Sequence, residues 1–342
     1  MSTQLKIIVL MGGPSLEHDV SVNSGNMVLK SIDQSKYDTT PVLIDRDGMW
    51  CFPECSPMSI FDAVIYLKTM SPTCIFVALH GAFGEDGKIQ GFLDTLDIPY
   101  TGSGCAASAL AFDKIRCKAV VQAQGVRVAG HVALDRTTWI VDQDTVVNTV
   151  RNDIGFPCVI KANRQGSSFG IVIASDEAAF RKGMSEVLEI DDMIMVEEYI
   201  AGLEITCGVL DSEANGLIRP LPLTEIRPRS SSYFDYEAKY TPGASEEITP
   251  ARIAPELTEK IQDIALHVHD IVGCEGWSRS DFIVYGDTPI WLEVNTVPGL
   301  TQTSLYPQAA AAAGISYPDM VTLFIEAAIR KASQHKVEKG QI

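Results

Sequence analysis

Apolar residues occur along the chain in short runs that alternate with longer amphipathic stretches. Runs rich in β-branched residues, such as Lys6 to Met11 and Cys74 to Leu79, end in polar or glycine-rich turns and are separated by helical stretches. Strands that alternate with helices in this way are typical of an open α/β sheet. The first third of the chain is therefore predicted to be an α/β domain.

The middle of the chain contains more closely spaced strands. The pattern predicts strands at 157–162, 171–174 and 193–197, with a helix at 176–189. This portion is expected to form a small, separate α+β domain.

The last third contains the longest helical period of the chain. Apolar residues recur at helical spacing from Pro255 to Val272, and Gly273 suits the C-terminal cap of that helix. The segment from Ile226 to Arg252 is rich in Arg, Ser, Tyr, Pro and Gly and has no period. Long loops of this kind are usually lids, binding loops or disordered segments. Because it holds several aromatic residues, we predict a lid.

Length and charge narrow the class of protein. A chain of 342 residues favours roughly two to three domains. With 27 basic and 44 acidic side chains, the net charge is −17, so no nucleic acid and no anionic membrane is expected as a partner. The eight cysteines are dispersed without metal-binding spacing, and the opening apolar run is too short for a signal peptide. We therefore expect a cytoplasmic protein with reduced thiols.

Two strands near the C-terminus, 277–284 and 289–295, carry candidate metal ligands. If a three-residue loop joins them, the pairs Asp281 with Glu293 and Arg279 with Asn295 share one face. The opposite face then carries these apolar residues: Phe282, Val284, Ile290, Leu292 and Val294. Two carboxylates and an amide oxygen suit Mg²⁺. A solvated polar face with an Asp–Arg pair explains the pattern equally well, and a two-residue turn would break the shared face.

A lysine followed by a Gly/Ser turn is a candidate phosphate site. Lys161 closes an apolar strand, and Gly166-Ser167-Ser168-Phe169-Gly170 follows it. A cation and backbone N–H groups in such a turn can surround phosphate oxygens. The P-loop spacing is absent from the sequence. An ordinary hairpin turn with an edge lysine is the alternative interpretation.

Two polar turns follow strands in the first third of the chain. One contains Ser15, Glu17 and Asp19, and the other begins at His80. Open α/β sheets bind ligands at such turns. A hydrolase interpretation lacks a nucleophile elbow. Helix capping explains Ser15 or Asp19 equally well, and His80 is either a binding residue or a turn histidine.

Six blocks of residues occur in one order along the chain. They are Gly12-Gly13-x-Ser15-x-Glu17-His18, His80-Gly81-x-x-Gly84-Glu85-Asp86-Gly87, Asp113-Lys114, Gly166-Ser167-Ser168-x-Gly170, Phe234-Asp235-Tyr236-Glu237-Ala238-Lys239-Tyr240 and Glu293-x-Asn295-Thr296-x-Pro298-Gly299. In this combination the sequence resembles the D-alanine–D-alanine ligases over about residues 7 to 330. Each block alone is moderately specific, and the ordered set is far more so.

The resemblance implies a mixed α/β and α+β architecture, the three-domain ATP-grasp fold with an N-terminal open α/β domain. It implies an N-terminal α/β substrate domain at 1–105 and a central ATP-grasp domain at 106–196. A C-terminal catalytic domain at 197–342 would carry the lid loop 226–252. The nucleotide would lie between the central and C-terminal domains.

The resemblance also implies roles for individual residues. Contacts with ATP are implied for Lys114, Lys161, Glu197, Ile200 and Glu204. Metal binding is implied for Asp281, Glu293 and Asn295, which would hold two Mg²⁺ ions; Mn²⁺ is a substitute in such sites, and a monovalent cation is an optional addition. Catalytic roles are implied for Glu17, Ser167, Tyr240, Arg279 and Gly299. Substrate contacts are implied for His80, Lys239, Ser304 and Leu305.

The implied activity is ATP-dependent ligation of two D-alanine molecules through an acyl phosphate, for peptidoglycan precursor synthesis, in a homodimer. A ligase that uses D-serine or D-lactate second is the near alternative. Lys239-Tyr240 resembles the dipeptide-forming lid, and Leu305 offers no partner to the hydroxyl of D-serine. A catalytically silent ATP-binding regulator is a rival of another class. A glutathione-synthetase-like ligase would share the metal hairpin but not the Glu17 block.

Overall fold

A computed structural model describes residues 4–167, 169–211, 218–228 and 245–338, with the backbone alone for 335–338. These residues form three sheets, each covered by helices. Most of the predicted lid, with Lys239 and Tyr240, lies outside the described residues.

The first sheet is the predicted open α/β sheet. Its strands, in the order β3-β2-β1-β4, are β1 (Leu5–Gly12), β2 (Tyr37–Ile44), β3 (Trp50–Cys51) and β4 (Cys74–Val77). The helices of this part are α1 (His18–Ser31), α2 (Ile60–Met70) and α3 (Lys88–Thr95). Strand β1 runs parallel to both β2 and β4. Because residues on both faces of β1 are buried, its sequence is a continuous apolar run rather than an alternating one.

The middle sheet is antiparallel, in the order β5-β8-β6-β7. Its strands are β5 (His131–Asp135), β6 (Cys158–Ala162), β7 (Ile171–Ala174) and β8 (Met193–Glu198). Helices α4 (Cys105–Phe112) and α5 (Lys114–Ala123) come before β5 in the chain but pack in the core of the third sheet. Helices α6 (Arg136–Val141), α7 (Gln143–Asp153) and α8 (Glu177–Leu188) cover the middle sheet. Four successive helices begin at an aspartate whose side chain accepts a backbone N–H of the first turn: Asp113, Asp135, Asp142 and Asp176. These caps satisfy N–H groups that a helix start leaves unbonded.

The third sheet has the order β12-β11-β9-β13-β14, and β10 pairs with β9. Its strands are β9 (Leu203–Asp211), β10 (Ile218–Pro220), β11 (Thr224–Pro228), β12 (Ser245–Ile248), β13 (Trp277–Tyr285) and β14 (Thr288–Asn295). Its helices are α9 (Pro255–Val272), α10 (Leu305–Ala312) and α11 (Tyr317–Glu338). Helix α9 has the predicted bounds, and its predicted cap Gly273 has a φ of 73°, which a glycine adopts without strain.

A shared core joins the first and third sheets. Phe76 of β4 lies in the same cluster as Trp277 of β13 and Phe324 of α11. The rings of Trp277 and Phe324 stack with centroids 3.8 Å apart. This packing holds the polar turns of the first sheet against the loop that follows β14.

Within the part of the chain that the structure describes, no single helix is both long and apolar enough to cross a membrane. Helices α10 and α11, the latter to Gln334, meet that requirement only as a pair, and a bend of 102° separates them.

Candidate active site

The β13–β14 hairpin brings the four predicted polar residues together. Arg279 pairs with Asn295, and Asp281 pairs with Glu293. Since cross-strand partners project to the same side of a sheet, all four side chains share one face. The predicted pairing is confirmed.

The predicted loop between these strands is wrong. Tyr285 pairs with Thr288, so the turn has two residues rather than three. A two-residue turn alone would shift the register by one and place the carboxylates on opposite faces. A β-bulge between Asp281 and Phe282 leaves Leu292 as an extra residue on β14 and restores the shared face.

The bulge also changes the apolar face of the hairpin. Trp291 pairs with Phe282 and packs in the core beneath the sheet. Ile290 and Leu292 were expected on that side, but Leu292 instead lines a cavity on the polar side, next to Ile283. The structure therefore corrects which residues of β14 form the core.

Cationic side chains neutralise the two predicted metal-binding carboxylates. Arg279 donates to Asp281 through Nε and Nη2, at 2.7 and 2.8 Å, and Asn295 Nδ2 donates to the same carboxylate at 3.1 Å. Lys114 Nζ lies 3.0 Å from Glu293 Oε2. The Asp–Arg pair of the alternative interpretation is thus present.

Oxygen donors at this face fit a hard divalent cation. Asp281 and Glu293 supply two carboxylates, and Asn295 supplies an amide oxygen, which are ligand types that Mg²⁺ prefers when phosphate completes its shell. No group of three or more His, Cys, Asp and Glu side chains that could hold a metal occurs within the described ranges. A metal here would therefore need the third protein oxygen from Asn295 or further oxygens from a ligand.

A cavity of about 810 Å³ lies between the middle and third sheets. It is lined by four of the five residues predicted to contact ATP: Lys161, Glu197, Ile200 and Glu204. It also reaches Asp281 and Glu293.

Two lysines hold the carboxylate at the base of this cavity. Glu197 forms ion pairs with Lys161 and with Lys118, whose side chain is fully buried. Burial favours the protonated form of Glu197, but the two ammonium groups outweigh it and lower its pKa to about 2. Lys118 was not predicted as a site residue, although it lies one helical turn after Lys114 on α5.

The predicted Gly/Ser turn is bonded to the start of α5. Asp113, the cap of that helix, accepts hydrogen bonds from Asn163 Nδ2 at 3.1 Å and Arg164 Nη2 at 2.9 Å. Lys114 Nζ donates to the carbonyl of Gln165 at 2.7 Å. The two predicted phosphate-binding segments therefore form one unit.

The same turn also contacts the first sheet. Ser167 Oγ donates to Glu17 Oε2 at 2.7 Å. A Cβ on Gly166 would lie only 2.0 Å from Glu17 Oε1, so a larger residue there would displace the Glu17 carboxylate. Two separate parts of the sequence thus meet at Glu17.

A second cleft of about 730 Å³ adjoins the first cavity and shares Glu293 with it. Its lining includes the predicted residues Glu17, His80, Ser167, Arg279, Gly299, Ser304 and Leu305. The structure therefore gathers into one cleft every predicted catalytic and substrate residue that it describes. The polar groups of the cleft lie next to the cavity in which a nucleotide would bind.

His80 lines this cleft, but its ring nitrogens are bound within the protein. Nδ1 lies 3.1 Å from the carbonyl of Val297, and Nε2 lies 2.8 Å from Ser24 Oγ. Burial lowers the pKa of His80 to about 4, so the ring is neutral at neutral pH. Only the carbon edge of the ring remains for a ligand.

Two carboxyl groups of the cleft were not predicted as site residues. Glu85 follows the turn after β4, and Glu247 lies on β12. Gln308 Nε2 donates to Glu247 Oε2 at 2.6 Å, and burial raises the pKa of Glu247. Glu85 lies within one of the blocks quoted above, which is the only sequence signal for it; nothing local marks Glu247.

Family models and curated relatives match nearly the whole chain. The model described as D-ala D-ala ligase N-terminus matches residues 6–65 and 63–103, and the model of the D-ala D-ala ligase C-terminus matches 120–326. A D-alanine–D-alanine ligase of Halalkalibacterium halodurans is 40% identical over 329 residues, which are 96% of this chain and 100% of the relative. One of Agrobacterium fabrum is 41% identical over 328 residues, covering 94% and 96%.

Solved structures of the same kind superpose on the chain. The D-alanine–D-alanine ligase of Coxiella burnetii has a TM-score of 0.81 at 28% identity and covers 98% of this chain and 97% of its own. The ATP complex of the Bacillus anthracis enzyme has a TM-score of 0.79 at 31% identity, covering 98% and 100%. The VanG D-Ala:D-Ser ligase of Enterococcus faecalis has a TM-score of 0.80 at 29% identity, covering 95% and 100%.

These similarities extend over the three sheets and both clefts, and they confirm the predicted ATP-grasp architecture. The chain belongs to the D-alanine–D-alanine ligase family.

Proposed function

We propose that this protein joins two D-alanine molecules to D-alanyl-D-alanine at the expense of ATP. The observation that carries the proposal is the pair of adjoining clefts that share Glu293. One cleft has the cations and the acidic hairpin that a triphosphate requires. The other has a carboxylate for a substrate ammonium and a guanidinium for a carboxylate or oxyanion.

In the first step, a carboxylate oxygen of one D-alanine attacks the γ-phosphorus of ATP, the bond to the β-phosphate oxygen breaks, and ADP leaves. Glu17 would hold the ammonium of this D-alanine, and Ser167 fixes Glu17 through its 2.7 Å hydrogen bond. Lys114 and Lys161 would offset the charge of the transferring phosphoryl group. For this, each lysine must exchange its present carboxylate partner for phosphate.

In the second step, the neutral amine of the other D-alanine attacks the acyl carbon. The bond to the phosphate oxygen breaks, phosphate leaves, and the nitrogen gives up a proton. Arg279 and the N–H of Gly299 would stabilise the oxyanion. Ser304 would bind the carboxylate of the second substrate, and Leu305 would pack against its methyl group. His80, Lys239 and Tyr240 would complete the substrate contacts.

The nucleotide and its ions would occupy the cavity lined by the middle and third sheets. Glu197 and Ile200 would contact the adenine, and Glu204 the ribose. Asp281, Glu293 and Asn295 would hold two Mg²⁺ ions, or Mn²⁺ in their place, which supply charge neutralisation for the triphosphate. A monovalent cation is an optional addition to this set.

The proposal includes a division into three domains, at 1–105, 106–196 and 197–342, with a lid at 226–252. It also includes a cytoplasmic location and a role in peptidoglycan synthesis. All eight cysteines are free, which accords with reduced thiols.

A homodimer is expected, and the exposed apolar residues Phe61 and Ile65 on α2 offer a surface for it. Analytical ultracentrifugation of the double variant Phe61→Asp/Ile65→Asp tests this dimer surface. If the dimer forms through α2, the two charges should shift the equilibrium to monomer.

An ADP-release assay tests the proposed activity. Purified protein with ATP and Mg²⁺ is supplied with D-alanine, L-alanine, D-alanine plus D-serine, or D-alanine plus D-lactate, and the products are identified by mass spectrometry. We expect D-alanyl-D-alanine in stoichiometric amounts with ADP and none with L-alanine. Preferred use of D-lactate or D-serine would contradict the proposal, and so would absence of D-alanine-dependent ADP, which would favour a silent ATP-binding protein.

A pair of hairpin variants controls for loss of fold. Asp281→Asn removes a proposed metal ligand, while Asp287→Asn changes an exposed carboxylate in the turn of the same hairpin. Only the first is expected to lower ADP release strongly and to raise the Mg²⁺ concentration required for the activity that remains. Equal activity of the two variants would remove Asp281 from the site.

A further inference from the structure

The turn after β4 contains a buried carboxyl group that the proposed chemistry does not use. Glu85 Oε2 accepts a hydrogen bond from the backbone N–H of Gly81 at 2.6 Å. Burial and the nearby Glu17 raise the pKa of Glu85 to about 8. A carboxyl group is costly to bury, so its place here calls for a physical reason.

That reason is found on the loop after β14. The backbone N–H of Val297 also faces the Glu85 carboxyl and opposes the rise in its pKa. The carbonyl of Val297 accepts from His80 Nδ1 at 3.1 Å, which fixes the tautomer so that Nε2 accepts from Ser24 Oγ at 2.8 Å. Both polar groups of Val297 therefore face one turn of the first sheet, and its carbonyl is hydrogen-bonded to that turn.

Leu300 of the same loop is held by one residue of α1 and one of α11. The N–H of Leu300 approaches Ser24 Oγ at 3.4 Å, and its carbonyl accepts from Tyr317 Oη at 2.6 Å. Gly299, whose N–H would bind the oxyanion, lies between Val297 and Leu300 in the chain. A shift of Val297 would therefore move the N–H of Gly299, two residues further along the chain.

We propose that Glu85 is a positioning residue for peptide bond formation: with His80 it holds Val297, and thereby sets the N–H of Gly299 at the oxyanion site. This inference rests on the proposed function for its catalytic meaning. Glu85 does not need to touch either substrate. It links the part of the protein that binds the first D-alanine to the loop on which the second step depends.

Two variants test the role of Glu85. Glu85→Gln keeps the size of the side chain but leaves one oxygen for two N–H donors, and Glu85→Ala removes both acceptors. Dipeptide turnover is expected to fall about 100-fold in Glu85→Gln, since a displacement of about 1 Å at a catalytic group has that effect. KM for ATP should stay unchanged. Positional isotope exchange in γ-¹⁸O-labelled ATP, which reports acyl phosphate formation, should rise relative to dipeptide formation.

Glu225→Gln is the matched control, because Glu225 is a fully buried carboxylate of the third sheet that pairs with Arg252 rather than with either cleft. It should lower the melting temperature without changing the ratio of exchange to dipeptide. Equal losses of isotope exchange and dipeptide in Glu85→Gln, or wild-type turnover, would overturn the proposal.

Hydrogen–deuterium exchange gives a readout that needs no catalysis. Amides at 296–304 should exchange faster in Glu85→Gln than in the wild type and in Glu225→Gln. Unchanged protection there would also overturn the role of Glu85. If the wild type makes no dipeptide, the proposed function fails while this measurement still decides whether Glu85 holds the loop.

Discussion

Replacing Lys118 with methionine removes the buried ammonium beside Glu197. Lys118 is fully buried, and Glu197 is only 1% exposed. Removing one partner from a buried ion pair costs about 3–5 kcal/mol, because the remaining charge is left without compensation. Lys161 still pairs with Glu197, so we expect the lower end, about 3 kcal/mol. Methionine fills a similar volume, so the cavity contribution is small.

Urea unfolding followed by circular dichroism measures this change as a lower midpoint at constant slope. Lys182→Met is the matched control, since Lys182 is 81% exposed and makes only an i, i+4 pair with Glu186 at 3.5 Å. That pair contributes about 0.3–0.5 kcal/mol. The double variant Lys118→Met/Glu197→Gln should be less destabilised than the two single losses added together.

Equal midpoints for Lys118→Met and Lys182→Met would refute the reasoning. So would strict additivity in the double variant, because it would mean that the two side chains contribute independently. A fall in stability with coupling between the two residues, accompanied by a higher KM for ATP, would show that the buried lysine supports the nucleotide cavity.

Three further changes have defined outcomes. Gly166→Ala should raise KM for D-alanine, because its Cβ would lie 2.0 Å from Glu17 Oε1 and displace that carboxylate from its present position. Asp113→Asn should raise KM for ATP roughly tenfold in steady-state assays, since a hydrogen bond to a charged group contributes about 1.5–3 kcal/mol. Burial lowers the pKa of His269 to about 4, despite the opposing effect of Asp270. The unfolded chain therefore binds a proton from about pH 6.5 downwards while the folded state does not, and stability is lost on acidification towards pH 4. Between pH 7 and pH 5 the wild type should lose about 2 kcal/mol of unfolding free energy from this residue, measured by urea unfolding. The His269→Gln variant should not show this loss.

Each of these changes has a control. Gly130→Ala places its Cβ no closer than 3.7 Å to a neighbour and should leave both KM values unchanged. Asp135→Asn alters the cap of α6 without contacting the Gly/Ser turn, so an equal rise in KM for ATP would contradict the role of Asp113. A wild type and a His269→Gln variant with parallel pH profiles would mean that His269 is not held neutral.

Elements with strong local signals could be predicted from the sequence. Helix α9 has both predicted bounds, because Pro255 at its first turn and Gly273 at its end fix them locally. Strand β7 at Ile171–Ala174 also agrees. The resemblance supplied the residues that line both clefts, because its blocks coincide with the turns that follow strands.

The sequence patterns did not reveal charged residues that are buried against partners far away in the chain. A lysine on a helix is ordinarily exposed, and nothing in the local pattern indicates that Lys118 faces Glu197, which is 79 positions away in the chain. The same holds for Glu85, which faces Val297 on the loop after β14. Long-range pairing of charged and polar groups has no period, so sequence patterns do not reveal it.

In the β13–β14 hairpin the expected three-residue turn is wrong, yet the expected pairing of Asp281 with Glu293 is correct. A two-residue turn and a single bulge each shift the side-chain parity of β14 by one, and together they cancel for Glu293 and Asn295. Between the bulge and the turn, only the shift caused by the turn applies. Trp291 therefore enters the core, and Leu292 at the bulge lines the cavity between the middle and third sheets. The strand thus satisfies two demands at once: a large indole fills the space beneath the sheet, and the carboxylate shared by both clefts stays on the ligand face. A three-residue turn without the bulge would keep the carboxylate but lose the indole from the core, which is why the irregular strand is the stable solution.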